Sequence, residues 1–149
     1  MHSRFFEEFK EGERFVSRYM SLSEGQIMDF AMAYDPQHMH VDHERASEGP
    51  FGGIIASGFQ TLSLSFRLFY DLGLIMETNI IGLGYDKIRW TKPVYPGQSM
   101  CVEAIVKETR SSSSKPDRGI LIWDMITRDR KDEVLMTVEA TMMVRRKPK

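Results

Sequence analysis

The chain has 149 residues, 42% of them hydrophobic and 28% charged, and its formal net charge is −1. These values are typical of one folded domain over residues 1–149 and exclude a disordered chain. A charge so close to zero gives no electrostatic reason to expect a nucleic acid partner. The single Cys101 excludes an intramolecular disulfide and a cysteine zinc cage. With no leader at residues 1–10 and no apolar run near the ~20 residues that cross a bilayer, we expect a cytoplasmic protein with no membrane partner.

The first clearly bounded element is a helix that begins after residue 23. Before it, Arg14–Leu22 mixes aromatic and polar residues in a weakly strand-like way. Ser23 and Gln26 have the spacing of a capping box, which starts a helix. The apolar residues that follow recur at helical spacing: Ile27, Phe30, Ala31 and Tyr34. Pro36 disfavours helical geometry in the residue before it, so we expect the helix to end near Asp35.

A second helix is predicted over Gly53–Gly73. Its residues are apolar nearly all round, with Arg67 and Asp71 as its only charges. Such a helix is typically buried and wrapped by other elements. About seventeen residues connect the two helices, which is longer than the usual ~2–8, and long ordered connections often carry functional residues.

The second half of the chain alternates apolar and polar residues with the period of a β-strand. The predicted strands are Gly82–Trp90, Met100–Lys107, Ile120–Thr127 and Val134–Val144. The segments Lys92–Gly97 and Asp129–Asp132 have the composition of turns. Helices early and an antiparallel meander late indicate an α+β fold, with a buried helix on a curved antiparallel sheet.

The segment Tyr34–His43 is the strongest functional signal, because it holds two acids and three of the four histidines. A carboxylate followed five residues later by an imidazole, Asp35 and His40, can act on one water from two sides, which is worth roughly 10²–10⁴-fold in rate. The negative end of the first helix should favour the protonated Asp35 carboxyl and so raise its proton affinity. The structural alternative is a turn in which Asp35 bonds its own backbone. His38 and His43 lack such a carboxylate, and we expect them at the surface or as supports of the loop.

The glycine-rich segment before the second helix is a candidate anion site. Ser57 is a plausible N-cap. If it caps the helix, the N–H of Gly58 is left unpaired and can hold a developing oxyanion. The alternative is that the glycines only relieve crowding where the helix meets the sheet.

These residues together carry a family resemblance. The run from Phe30 to Gly58 resembles the hydratase motif of the MaoC-like dehydratases, the (R)-specific enoyl-CoA hydratase group of the hot-dog fold. The Lys92–Gly97 turn and the Ser112–Gly119 loop resemble the family's proline-rich turn and following loop, so the resemblance covers almost the whole chain. It implies a single hot-dog domain in which a long central helix is wrapped by five antiparallel strands. It also implies a homodimer, or a higher assembly of dimers, with the sites at the subunit interface.

The resemblance further implies a role for individual residues. Asp35 and His40 would be the catalytic pair that adds water to a trans-2-enoyl thioester, and the Gly58 N–H would polarise the thioester carbonyl. CoA would enter as part of an acyl-CoA substrate, with no separate cofactor and no metal. The family's Gly-Asp-x-Asn-Pro-x-His appears here as Tyr-Asp-Pro-Gln-His-Met-His. Gln37 therefore replaces the asparagine, and Gln37 and Ser57 are candidate supports of the pair.

Three other functions compete with hydration. The letters His38-x-His40-x-Asp42-His43 also match the dinuclear metal signature of metallo-β-lactamases, but no histidine follows His43 to complete such a site. A thioesterase on the same fold would direct water onto the thioester carbonyl instead of the β-carbon. A non-catalytic acyl-CoA-binding module is the third alternative. The spacing of Asp35 and His40 favours the hydratase over the thioesterase, and the presence of both residues argues against a non-catalytic module.

Overall fold

The computed structural model describes residues 2–149 as a five-stranded antiparallel sheet packed on one long helix. The helices are α1 Glu24–Tyr34, α2 His38–Val41, α3 His43–Glu48 and α4 Gly58–Tyr70. The strands are β1 Arg14–Val16, β2 Asn79–Trp90, β3 Met100–Ser111, β4 Arg118–Asp129 and β5 Val134–Arg145. Their order in the sheet is β1-β3-β4-β5-β2, and every pair is antiparallel. This is the expected α+β hot-dog arrangement, which is confirmed.

The core lies between α4 and the inner face of the sheet. The Phe69 ring of α4 contacts the fully buried Trp123 of β4 edge to face, with centroids 5.0 Å apart. One turn earlier, the Ser65 hydroxyl bonds the Thr127 hydroxyl at 2.7 Å, and both residues are buried. The aromatic contact buries apolar surface, and the Ser65 and Thr127 hydroxyls satisfy each other between helix and strand.

The predicted start of α1 is confirmed. The Ser23 side chain accepts from the Gln26 N–H at 3.1 Å, and the Gln26 side chain accepts from the Ser23 N–H at 2.9 Å. The helix stops one residue before Asp35, which is its C-cap. Ser23 and Gln26 thus set the start of α1, and Pro36 agrees with its end.

The prediction of a helix over Gly53–Gly73 was wrong at its start. Residues 53–57 are not helical, and α4 begins only at Gly58. The preceding segment is held extended from both sides, because Ile55 N–H donates to Met39 and Ala56 N–H donates to Val94. The expected burial on all sides was also wrong, since Phe59 is 57% exposed. The side of α4 toward the sheet carries hydroxyls as well as apolar groups.

Two further expectations need correction. The long connection between the helices carries two short helices, α2 and α3, and its longest open stretch is residues 49–57. The first strand covers only Arg14–Val16 of the predicted Arg14–Leu22, with a single further bridge from Met20 to Met100. Among residues 2–149, none of the helices has the length and apolar character required to span a membrane.

Strand β2 forms one edge of the sheet and exposes apolar side chains. Ile81, Leu83 and Tyr85 are 55%, 49% and 42% exposed, and they alternate along the strand. A β-bulge around Leu83 interrupts the regular alternation, so these side chains do not all project to the same side of the sheet. An exposed apolar edge of this kind is a template for pairing with another strand.

Candidate active site

The structure brings Asp35 and His40 together in a buried pair. Asp35 follows the last turn of α1, and His40 lies in α2. The His40 Nε2 atom is 3.4 Å from Asp35 Oδ2, and the two side chains are 7% and 10% exposed. Water is largely excluded from both groups, so their mutual attraction is screened less than that of a surface pair.

The imidazole of His40 is oriented by the chain segment before α4. Its Nδ1 atom lies 2.6 Å from the carbonyl oxygen of Ile55. A carbonyl oxygen can only accept, so Nδ1 carries the hydrogen and Nε2 is left to face Asp35. The Ile55 N–H donates back to the Met39 carbonyl at 3.0 Å, which ties this segment to α2. The reactive nitrogen of His40 is thereby identified by geometry.

Asp35 is held by two side-chain donors. The Ser57 hydroxyl donates to Oδ2 at 2.6 Å, and the Gln37 side-chain amide donates to Oδ1 at 2.8 Å. The bond from Ser57, followed by the bond from Gln37 and the nearby His40, lowers the pKa of Asp35 below its ordinary value. The expected rise in its proton affinity from the α1 terminus was therefore wrong, because donors to the carboxylate outweigh the helix end. Asp35 is ionised at neutral pH.

Ser57 and Gly58 form the start of α4 as predicted. Ser57 is the N-cap, fully buried, and its hydroxyl accepts from the Phe59 N–H at 3.2 Å. The Gly58 N–H has no hydrogen-bond acceptor anywhere in residues 2–149. It is one of the unpaired donors that every helix start leaves, and the helix dipole adds partial positive charge there.

A cleft of about 370 Å³ opens in front of this helix start. Both His40 and Gly58 line it, whereas Asp35 does not. Its other walls are mainly apolar: Phe51, Ile55, Ala56, Thr61, Trp90, Thr91, Lys92, Pro93 and Val94. A ligand in the cleft can thus reach an imidazole and a free backbone N–H at once, and the Asp35 carboxylate lies 3.4 Å from Nε2 of that imidazole.

The other histidines of the segment have separate partners at the surface, as expected. The Arg45 guanidinium donates to His38 Nε2 at 2.8 Å, and His43 faces Glu24 at 3.5 Å. Asp42 caps α3 by accepting from the Arg45 N–H. The side chains of the metallo-β-lactamase signature therefore do not converge. Across residues 2–149, no group of three His, Cys, Asp or Glu side chains is placed to hold a metal ion.

Sequence reasoning missed Trp90 and the Ile55 carbonyl. Trp90 is the last residue of β2 and lines the cleft. Its indole N–H donates to the carbonyl of Gly58, which is 32 residues away in the sequence. The only signal in the sequence was an aromatic residue at the end of a predicted strand. The Ile55 carbonyl gave no signal, because any residue type supplies a backbone oxygen.

A larger groove of about 800 Å³ lies elsewhere, between the N-terminal segment and the C-terminal residues. Arg146 and Lys147 line it, but they face Glu7 at 3.4 Å and Glu8 at 3.6 Å. The pairing offsets much of the positive charge, and the groove contains neither catalytic candidate. Size alone therefore does not mark the functional site of this protein.

Comparison with known proteins identifies the family of this chain. The family model described as "MaoC like domain" matches residues 8–119, which include Asp35, His40 and Gly58. The chain belongs to this family. The MaoC-like chain is 36% identical to the uncharacterized protein YdeM of Bacillus subtilis over 140 residues, covering 94% of this chain and 98% of that protein.

Two further relatives carry functional descriptions. A 3-hydroxyacyl-thioester dehydratase Z of Mycobacterium tuberculosis is 39% identical over 83 residues, which is 54% of this chain and 55% of that protein. The MaoC-like chain thus spans about half the length of this dehydratase. A crystal structure of a MaoC-like dehydratase from Rhodospirillum rubrum superposes with a TM-score of 0.89 at 34% identity, covering 99% of this chain and 100% of that one.

Proposed function

We propose that this protein catalyses the reversible hydration of a trans-2-enoyl thioester to a 3-hydroxyacyl thioester, which is a hydro-lyase reaction. The observation that carries the proposal is the buried Asp35–His40 pair, whose imidazole opens on the same cleft as the free Gly58 N–H. Membership of the MaoC-like family and the similarity to a 3-hydroxyacyl-thioester dehydratase support the same reaction class.

The proposed reaction follows from the state of each group. The oxygen of a water molecule bonds to the β-carbon, and the electron pair of the C=C bond moves toward the α-carbon and the thioester oxygen. Asp35, ionised because its pKa is lowered, accepts the proton of that water. This step requires a hydrogen on both ring nitrogens of His40, and the hydrogen on Nε2 goes to the α-carbon. One water is added in all, and transfer of the proton from Asp35 to His40 across their 3.4 Å separation restores the pair.

Gly58 has a separate part in this scheme. Negative charge develops on the thioester oxygen as the enolate forms, and the Gly58 N–H at the start of α4 is the free donor in the cleft. Loss of one such donor costs about 10²–10³-fold in turnover where it has been measured in other enzymes. The mainly apolar cleft walls suit an acyl chain, and a thioester of CoA is the proposed substrate.

We further propose that the working form is a homodimer paired along β2. The exposed Ile81, Leu83 and Tyr85 all lie on this edge strand. A second copy would cover them and continue the sheet, which removes an open edge from solvent. Analytical ultracentrifugation tests this: Leu83→Lys should shift the dimer to monomer, and an unshifted species would refute pairing at this edge.

The decisive experiment for the reaction is incubation of the protein with a panel of 2-enoyl-CoA thioesters, followed by mass spectrometry. Wild type is compared with Asp35→Asn. A gain of one water with the thioester intact, lost in the variant, would establish the hydratase. Free CoA and a carboxylic acid would instead assign a thioesterase. Tight binding of the thioesters with neither product would assign a non-catalytic acyl-CoA-binding module.

A further inference from the structure

Trp90 contacts the helix start that carries the proposed carbonyl donor. Its indole N–H donates to the Gly58 carbonyl oxygen at 2.9 Å. Phe59, the next residue of α4, meets the same indole edge to face, with centroids 5.9 Å apart. Residues 58 and 59 are therefore both held by one side chain from the end of β2.

The indole also lies directly against the Gly58 Cα. A Cβ built at this position would be 2.4–2.7 Å from three ring atoms of Trp90. No side chain larger than hydrogen fits without moving the ring, because real contacts of a Cβ are much longer. Gly58 is thus required by the position of Trp90, and not by backbone strain.

Trp90 is at the same time a wall of the cleft. It is 46% exposed and lines the cleft together with His40 and Gly58. Trp123, the only other tryptophan, is fully buried in the core. The two indoles therefore occupy opposite environments, and only one of them can touch a ligand.

We propose that Trp90 is a positioning residue for the thioester carbonyl site: its indole N–H and ring face hold Gly58 where the Gly58 N–H meets the developing oxyanion. The inference rests on the proposed hydratase function. An oxyanion donor acts only when it lies about 2.7–3.1 Å from the oxygen, so small displacements of a helix start reduce its effect. The ring face additionally packs on the substrate beside the carbonyl.

These two contributions predict a split in the kinetics. Trp90→Phe keeps a ring in the cleft but removes the donor to the Gly58 carbonyl. We expect kcat to fall by about five- to tenfold, the rate equivalent of one lost neutral hydrogen bond, with KM little changed. Trp90→Ala also removes the wall, so KM should rise in addition. Phenylalanine should therefore restore KM but not kcat relative to alanine.

Trp123→Phe is the matched control. The Trp123 indole N–H has no hydrogen-bond partner among the described residues, so this variant changes packing alone. It should lower Tm and leave kcat unchanged. A merely structural role for Trp90 would give the same pattern in Trp90→Phe, namely a lower Tm with wild-type kcat, and that result would overturn the proposal.

Coupling between Trp90 and Gly58 gives a second test. Gly58→Ala should reduce turnover in the wild-type background, where the new methyl group meets the indole. In the Trp90→Ala background the ring is absent, and the same substitution should have a clearly smaller effect. Equal effects in both backgrounds would contradict the contact.

The closing experiment uses but-2-enoyl-CoA for turnover and the saturated butyryl-CoA for binding. In the Trp123→Phe variant, Trp90 is the sole tryptophan, and its fluorescence should change when butyryl-CoA is added. No change would overturn the role of Trp90 as a wall. Wild type that gives no hydrated product from but-2-enoyl-CoA or the wider panel would refute the proposed function, and the Trp90 role with it. Active wild type with an equally active Trp90→Phe variant would refute only the Trp90 role.

Discussion

Two imidazole–carboxylate pairs connect the two ends of α1 to the short helices that follow it, and they have nearly the same length. His40 is 3.4 Å from Asp35, and His43 is 3.5 Å from Glu24. The first pair is 7% and 10% exposed, whereas the second is 65% and 42% exposed. Distance therefore does not distinguish them. Burial does, because water and salt screen the exposed pair and leave it without a fixed geometry.

The surroundings of the two pairs differ as well. Around the inner pair, Ser57 and Gln37 donate to the carboxylate and the Ile55 carbonyl accepts from the imidazole. These partners assign one protonation pattern and one orientation to the inner groups. Proton transfer requires groups held in a fixed orientation. Of the two pairs, we therefore expect only the inner one, Asp35 and His40, to affect catalysis.

The largest difference in turnover is expected between variants of the two histidines. His40→Ala should lower kcat by about 10²–10⁴-fold, because it removes a proton-transfer group. His43→Ala, from the outer pair, should retain wild-type turnover. Initial rates with but-2-enoyl-CoA measure both, and circular dichroism shows whether each variant is folded. A folded and fully active His40→Ala variant would show that the buried pair, like the exposed one, is not needed for catalysis.

Ser57→Ala should change the pH dependence. The bond from Ser57 is the largest cause that lowers the pKa of Asp35, so its loss raises that pKa. The ionised Asp35 is required, and activity falls as the pH drops through its pKa. The acid limb of kcat/KM should therefore move to higher pH, with kcat at neutral pH reduced by about tenfold. An unmoved acid limb would show that Ser57 does not set the charge of Asp35.

Gln37→Ala should have a smaller effect in the same direction. Gln37 is a second donor to Asp35, through its side-chain amide. We expect kcat to fall a few-fold, because a water molecule can partly replace the lost charge-assisted hydrogen bond. Gln37→Asn, which keeps a side-chain amide at this position, is measured beside it. Full activity of both variants would remove Gln37 from the site.

The smallest effect is expected from the outer residues and from chelation. His38→Ala should leave turnover unchanged, since the His38 side chain bonds only Arg45 among the described residues. Incubation with EDTA should also leave it unchanged, because the proposed reaction needs no metal. Activity that is lost with EDTA and restored by a divalent cation would contradict the proposed mechanism.

Much of the fold could be predicted because its signals are local. The capping box of Ser23 and Gln26 lies within four residues, and apolar and polar residues alternate most clearly along β5. The start of α4 was misplaced for the opposite reason. Apolar composition alone does not separate a helix from the extended segment 53–57, whose backbone bonds go to Met39 and Val94.

The features of the site also divide into those with a local sequence signal and those that depend on distant contacts. The spacing of Asp35 and His40 and the capping role of Ser57 are visible in the sequence. The bond from Ser57 to Asp35 spans 22 residues and that from Trp90 to Gly58 spans 32, and no short motif encodes either. The direction of the Asp35 pKa shift was mispredicted for this reason, because only the local helix end was known.

Paired substitution of the two carboxylates is the most direct test of the central claim. Asp35→Asn and Glu24→Gln each remove one negative charge from one pair while keeping the shape of the side chain. With but-2-enoyl-CoA, we predict a loss of about 10²–10⁴-fold in kcat for Asp35→Asn and wild-type kcat for Glu24→Gln. Equal kcat in the two variants would contradict the assignment of the reaction to the buried pair.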